Sequence, residues 1–450
     1  MVIFYQKIIV GSMAPGGRLP KTGGMTLVDI TIAPDALVGY RSRNDPTRTA
    51  WFQDLGLGLF VHWGLDVQYG TVISHWMCGA DTRLVDRFIA EGPGTLEAPD
   101  FDAGAIARLA RLAGMRYLVF TTKHHSGFCW WPTATTGFQV GATPLARDVT
   151  GELIAACRRQ SLAYGHYFSP YDLWWCRQQR KALHFATPEV VPANNPGLMA
   201  HNRAQVRELL TTYGPIDLMF FDGPPEVLRD DVWDLQPNCL VTRGAMATPE
   251  QHLPEHDPAG PWEYCVTIGD GWSYKPTNDT TKSGGDLIRL LIETRARGGN
   301  LLLNITPDSR GRVPVEQERV LEELGTWMFF NSEAIHGVRP WVVRQEPGVR
   351  YTGRTEADGS TTVYAFLDAG WPYGERREIV LGGVATGPAS IVEIVIQNGQ
   401  VLEHDPDREV RTRWTQEYRL HISAVCCYRP YDNRRWANPV ALRITNAVKA

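Results

Sequence analysis

Between Trp51 and about Pro340 the chain alternates short, wholly apolar runs with amphipathic stretches, and the runs end in titratable residues. A run that is apolar at consecutive positions must be buried on both faces, as happens to strands of a parallel sheet covered by helices. The runs lie at residues 56–63, 116–125, 163–170, 216–223, 239–244 and 300–307. Helical stretches between them open on start signals: Asp102, Asp148 and Ser283, the last followed by Asp286 in a near capping box and closed by Gly298. This repetition predicts an α/β fold, a (β/α)8-like barrel over residues 31–341, irregular because fewer than eight runs are clear.

After Trp341 helical periodicity gives way to short runs (TTVYAFLDA, REIVLGG, ASIVEIVIQNG, EYRLHISAVCC) separated by Gly, Asp and Asn turns. Residues 342–450 therefore read as an antiparallel β-sandwich. Residues 1–30 read as a loosely structured leader, rich in Gly and Pro at 11–24. With a formal net charge of -4 there is no basic footprint for nucleic acid. No apolar run reaches the roughly 18 residues of a spanning helix, which argues against a membrane partner. Met1 to Val10 lack the pattern of a secretory signal, so a cytoplasmic location is expected. The eight cysteines show no C-x-x-C pair or zinc-like spacing and read as reduced, mostly buried thiols. Homo-oligomerisation is an expectation on general grounds only.

In a parallel barrel the C-terminal strand ends form the mouth. Those ends carry His62 and Trp63, then Lys123, His124 and His125, then Tyr167 and Ser169, then Asp222, then Arg243. Asp222 ends the run LMFF and precedes Gly-Pro-Pro, a turn that would face its carboxylate into the mouth; a turn or helix-capping aspartate is the plainer alternative. His124 and His125, as neighbours on a strand, should point to opposite faces, so no metal site is expected and no cofactor is implied. Trp63, Trp76, Trp130, Trp131, Trp174, Trp175 and Trp272 flank the proposed mouth. Singly each suits a core, but beside clustered His and Arg they suit a pyranose with one apolar face.

Together these stretches resemble glycoside hydrolase family 29, the retaining α-L-fucosidases. The resemblance rests on WFQDLGLGLFVHWG (51–64), FDAGAIARLARLAGMRYLVFTTKHHSGFCWW (101–131), YGPIDLMFFDG (213–223), PWEYCVTIGDGWSYKP (261–276) and RGGNLLLNITPDSRGRVP (297–314). It implies a barrel followed by a β-sandwich and an exo-acting retaining hydrolase of fucosylated oligosaccharides or glycoconjugates. It also implies Asp222 as nucleophile and sugar contacts from His62, Trp76, His124, His125, Tyr167, Arg243 and Trp272. Four positions depart from the family pattern: His75 stands for a Glu, Ser126 for an Asp, and Val241-Thr242 for Asn-Asp. His75 is therefore a candidate contact that bears on which sugar is held.

Retaining hydrolysis needs a second carboxyl group as acid and then base. Glu250, Glu255 and Glu263 lie between Arg243 and Trp272. Glu250 is preferred, seven residues beyond Arg243 where similar sequences carry a loop carboxylate; Glu263 is the alternative acid or a substrate contact, and Glu255 a solvated loop charge. The rival readings are an exo-glycosidase for a related sugar, a barrel that binds sugar without cleaving it, and a metal-dependent barrel hydrolase.

Overall fold

The structure is a computed structural model. It describes residues 41–71, 73–277, 280–368, 370–372, 375–395, 412–425 and 438–450, and the backbone of two short strands, β1 (Gln6–Ile9) and β2 (Leu27–Ile30). These two pair antiparallel within the stretch expected to be a loose leader; the remainder of that leader lies outside the described residues.

The part before residue 339 is built on seven parallel strands: β3 (Leu57–Val61), β4 (Tyr117–Lys123), β5 (Ala163–Phe168), β6 (Leu218–Phe221), β7 (Leu240–Val241), β8 (Trp262–Thr267) and β9 (Gly299–Ile305). Their order is β7-β6-β5-β4-β3-β9-β8. The ring is completed by an irregular segment where an eighth strand would stand. Met246 bridges to Arg243, and Ala247 and Glu250 bridge to Trp262 and Cys265 of β8. This segment carries Pro249, which has no N–H to donate to a ladder, and Gln251 takes a positive φ of 58°. The sequence pattern missed β8 because charged Glu263 interrupts its apolar run, yet the strand is buried throughout.

The predicted helix starts are the observed ones. Asp102, Asp148 and Ser283 each accept a backbone N–H three residues on, capping the helices Ala103–Leu112, Val149–Arg159 and Gly284–Ala296. Gly298 closes the last of these with φ +91°.

The floor of the barrel is polar and sealed. Tyr117 Oη donates to Glu263 Oε1 at 2.8 Å, and buried Arg295 donates to Asn300 Oδ1 at 2.8 Å and Gly299 O at 2.7 Å. Gly58 is required there, since a Cβ would stand 2.4 Å from the Tyr117 ring. Above this floor Phe60, Val119, Phe220, Cys265 and Leu302 fill the interior.

The C-terminal part begins slightly before the expected boundary, at β10 (Arg339–Glu346). It continues with β11 (Val349–Thr355), β12 (Thr361–Leu367), β13 (Arg376–Leu381), β14 (Ala385–Ile394), β15 (Arg413–Gln416), β16 (Leu420–Val425) and β17 (Val440–Val448). One sheet runs β10-β11-β12-β17-β14 and the other β13-β16-β15, all pairs antiparallel. Among the described cysteines all six are free, and all but Cys78 are buried; Cys426 and Cys427 lie outside the described residues.

Candidate active site

The last interior positions of β3 to β6 rise in steps of two residues, so the side chain above Phe60 is His62 and the one above Phe220 is Asp222. Asp222 neither caps a helix nor turns outward. Its Oδ2 accepts the Tyr167 hydroxyl at 2.5 Å, its Oδ1 accepts Arg243 Nη1 at 2.9 Å, and His125 Nε2 lies 3.5 Å from Oδ2. Burial pushes this carboxyl up, but Arg243, His125 and the Tyr167 hydrogen bond outweigh it and hold Asp222 down at about 2.

Arg243 serves a second carboxylate with its other terminal nitrogen, Nη2 donating to Glu250 Oε2 at 2.8 Å. Its Nε is fixed on Thr248 Oγ1 at 3.0 Å, and its guanidinium lies 4.8 Å over the Phe220 ring. Burial opposes the Arg243 charge, but Glu250 and Asp222 more than offset this, so it stays a cation. Glu250 reaches this position because the irregular segment follows β8 only as far as Cys265.

Three histidines, His62, His75 and His124, line the same cavity as Asp222, and His125 stands against Asp222 itself. His62 Nδ1 lies 2.6 Å from Asn304 Oδ1, His75 Nδ1 2.8 Å from Ile73 O, His124 Nδ1 2.9 Å from Ser74 Oγ and His125 Nδ1 2.5 Å from Ser169 Oγ. Burial drives His62 and His125 down to about 3 and His124 well below its ordinary value, so all three are neutral near pH 7. The cation beside Asp222 is thus Arg243. The Tyr167 ring stacks on His124 with centroids 5.3 Å apart, and Trp272 covers His62 at 4.7 Å.

Several expectations are corrected. His124 and His125 do not diverge: β4 ends at Lys123, strand alternation ends with it, and the two rings stand 4.2 Å apart. With Asp222 they bring ligand atoms within 4.8 Å of one another. Arg243 already occupies that carboxylate, and a cation placed there would face the guanidinium, so the trio suits hydrogen bonding to a neutral ligand.

Glu263 is not at the mouth. It is the second residue of β8, fully buried on the barrel floor, and burial raises its carboxyl to about 7. Glu255 lies on an exposed part of the loop. Trp76 is held away from the cavity by its indole N–H, which donates to Asp66 Oδ1 at 3.1 Å, and by edge contact with Phe88. Trp63, Trp130 and Trp131 are core residues, Trp63 stacking on Trp130 at 4.2 Å. Of the seven tryptophans named from the sequence, Trp272 alone lines the cavity.

Phe60, Phe220 and Cys265 also line it; stepping back two residues from His62 and Asp222 finds the two phenylalanines. Ser74, Thr248 and Asn304 carry no comparable signal, whereas Ser169 stands at a strand end that the sequence already marks. The cavity is only about 20 Å³. A larger one of about 710 Å³ lies on the flank, between the start of helix Ala103–Leu112 and residues 274–277 and 308–318. Its lining holds no histidine and no residue of the parallel strands; Asp102 there caps a helix, and Asp100 and Asp308 both pair with Arg312. The chemistry resides in the small cavity.

A parallel barrel with an ionised aspartate and a loop glutamate at its mouth, amid neutral histidines and one aromatic cover, defines a glycoside hydrolase. Comparison with known proteins specifies which. Residues 39–333 match the α-L-fucosidase family. The tissue α-L-fucosidase of Mus musculus is 31% identical over 376 residues, 72% of this chain and 78% of its own. That of Homo sapiens is 29% identical over 417 residues, 80% and 83% of the two chains. The structure of α-L-fucosidase isoenzyme 1 from Paenibacillus thiaminolyticus is similar with a TM-score of 0.71 and 26% identity, over 88% of this chain and 98% of that one. The chain belongs to the α-L-fucosidase family, as its motifs led one to expect, and is a glycoside hydrolase that releases α-L-fucose from fucosylated glycans.

Proposed function

We propose that Asp222 attacks the anomeric carbon of a terminal α-L-fucosyl residue while Glu250 protonates the departing oxygen, and that Glu250 then activates water to release the sugar with its configuration retained. The observation that carries this reading is the single guanidinium of Arg243, which holds both carboxylates at the mouth. A structure of a Bacteroides thetaiotaomicron α-L-fucosidase is described as a trapped covalent intermediate, which is in keeping with double displacement.

In the structure the Glu250 carboxylate is engaged by Arg243, whereas the first step needs this side chain at the glycosidic oxygen. Substrate therefore has to draw Glu250 off the guanidinium and onto the glycosidic oxygen. The cavity supports such a rearrangement: about 20 Å³ is far below the roughly 300 Å³ of a small-ligand pocket. The walls that part are those carrying His75 and Trp272. Once seated, the sugar lies beneath Trp272 with its hydroxyls on His62, His75, His124 and His125.

The test is the anomer first released from 4-nitrophenyl α-L-fucoside, followed by NMR before mutarotation. Initial α-L-fucose supports the proposal; initial β-L-fucose overturns it. His75 at the cavity, in place of the family's Glu, favours one second reading, a broadened preference for sugars related to fucose. A panel of aryl glycosides decides between them.

A further inference from the structure

We infer that Ser74 and Ser169 are positioning residues that lock His124 and His125 as tautomers with the proton on Nε2, presenting two neutral N–H donors to the sugar and to Asp222. The inference rests on the proposed placement of the sugar among these histidines.

Each serine is built into the same arrangement. Ser74 Oγ accepts the Ser126 backbone N–H at 3.0 Å, and Ser169 Oγ accepts the Tyr171 backbone N–H at 3.1 Å. Both serines are fully buried. A hydroxyl that already accepts from a fixed backbone donor has one proton to give, and leaving it unpaired in a dry interior is unfavourable. The imidazole Nδ1 facing each hydroxyl, at 2.9 Å from Ser74 and 2.5 Å from Ser169, is the acceptor within reach. Receiving that proton makes Nδ1 the bare nitrogen, and in a ring kept neutral by burial the remaining proton sits on Nε2. For His125 that N–H faces Asp222 Oδ2 at 3.5 Å, the sense a carboxylate requires.

The other two histidines are set oppositely. His62 faces the Asn304 side-chain oxygen and His75 faces the Ile73 carbonyl, both acceptors, so each carries a proton on Nδ1, and neutral His62 offers a bare Nε2 to the cavity. The mouth thus sets N–H donors at His124 and His125 beside an acceptor at His62, a pattern that reads the direction of sugar hydroxyls. Ser74 keeps its place at a backbone φ of +55°, unusual for a residue with a Cβ, where buried Asp66 accepts its N–H at 2.9 Å.

Histidine ¹⁵N NMR of the whole chain reads tautomers directly, with His124→Gln and His125→Gln used to assign signals. The expected result is Nε2-protonated neutral rings at 124 and 125. Ser74→Ala should shift only the His124 signals toward Nδ1 protonation, and Ser169→Ala only those of His125. Each alanine variant should lose about tenfold in kcat/KM, as for one lost hydrogen bond to substrate. Nδ1 protonation at either ring in the unaltered chain overturns the inference, as do folded alanine variants with unmoved signals. Should an alanine variant fail to fold, the spectrum of the unaltered chain decides alone. The NMR result does not depend on turnover, so a failure of the proposed catalytic reading would be seen separately.

Discussion

Asp222 and Glu250 are joined through one guanidinium: Arg243 gives Nη1 to Asp222 Oδ1 at 2.9 Å and Nη2 to Glu250 Oε2 at 2.8 Å. The two carboxylates are 28 positions apart in sequence and arrive from β6 and from the irregular eighth segment of the ring. Arg243 therefore sets the charge of the site as well as its geometry, and it separates the roles of the two acids. Asp222 keeps three partners and stays ionised, whereas Glu250 has a partner it can exchange.

Replacing Asp222 with glycine removes the attacking group and opens space beside the anomeric carbon. Turnover should fall by about 10³-fold or more, as for loss of other covalent nucleophiles, and azide should restore part of it. The product to look for by mass spectrometry and NMR is β-L-fucosyl azide. An Asp222→Gly enzyme that turns over near the original rate without azide rules out the assignment.

Glu250→Ala should separate substrates by their need for protonation. Hydrolysis of 2,4-dinitrophenyl fucoside, whose leaving group needs no acid, should be far less impaired than that of a fucosyl disaccharide. The gap should be about 10²-fold, the usual range of general acid catalysis. Glu255→Ala, on the exposed loop, should show no such gap.

These assignments were unequally visible beforehand. Asp222, Tyr167 and Arg243 stood out because strand ends in a parallel barrel point to one mouth, a rule that depends only on period and polarity. Glu263 was misread for the same reason: a charged residue near an aromatic pair looks functional unless its height along β8 is known, and height is set by register with β9. Trp76 failed because a loop tryptophan can place its N–H on a distant acid, here Asp66, and no local pattern signals that pairing. The closure of the ring by residues 246–250 was equally hidden, since isolated bridges impose no periodicity on the side chains.

Arg243→Gln tests the electrostatic role. In the unaltered site Asp222 is ionised down to about pH 2, so the acid limb of kcat/KM should come from other groups. Without the guanidinium, burial acts on Asp222 with less opposition and its pKa rises. The variant should be slower, and the titration of Asp222 itself, followed by carboxyl ¹³C NMR, should move up by at least about one pH unit, the size of shift a neighbouring charge gives. An Asp222 titration that does not move would show that Arg243 does not set its charge.

Glu263 supplies the opposite sign, in stability. Burial raises its folded-state pKa to about 7, above the ordinary glutamate value of 4.5, so between those values the folded chain binds more protons than the unfolded one. Its contribution is fully present below about pH 4.5 and is lost as pH rises through 7, by a few kcal/mol at most at roughly 1.4 kcal/mol per unit. Glu263→Gln removes the titration while leaving an oxygen to accept the Tyr117 hydroxyl. The melting temperature of the variant should gain on that of the unaltered chain as pH is raised from 4.5 to 8, whichever is higher at the start. The leaving-group dependence of turnover should be unchanged, because this carboxyl lies on the floor of the barrel and not at its mouth. A constant difference in melting temperature across that range would show that Glu263 titrates normally; a new leaving-group dependence would return it to the catalytic site.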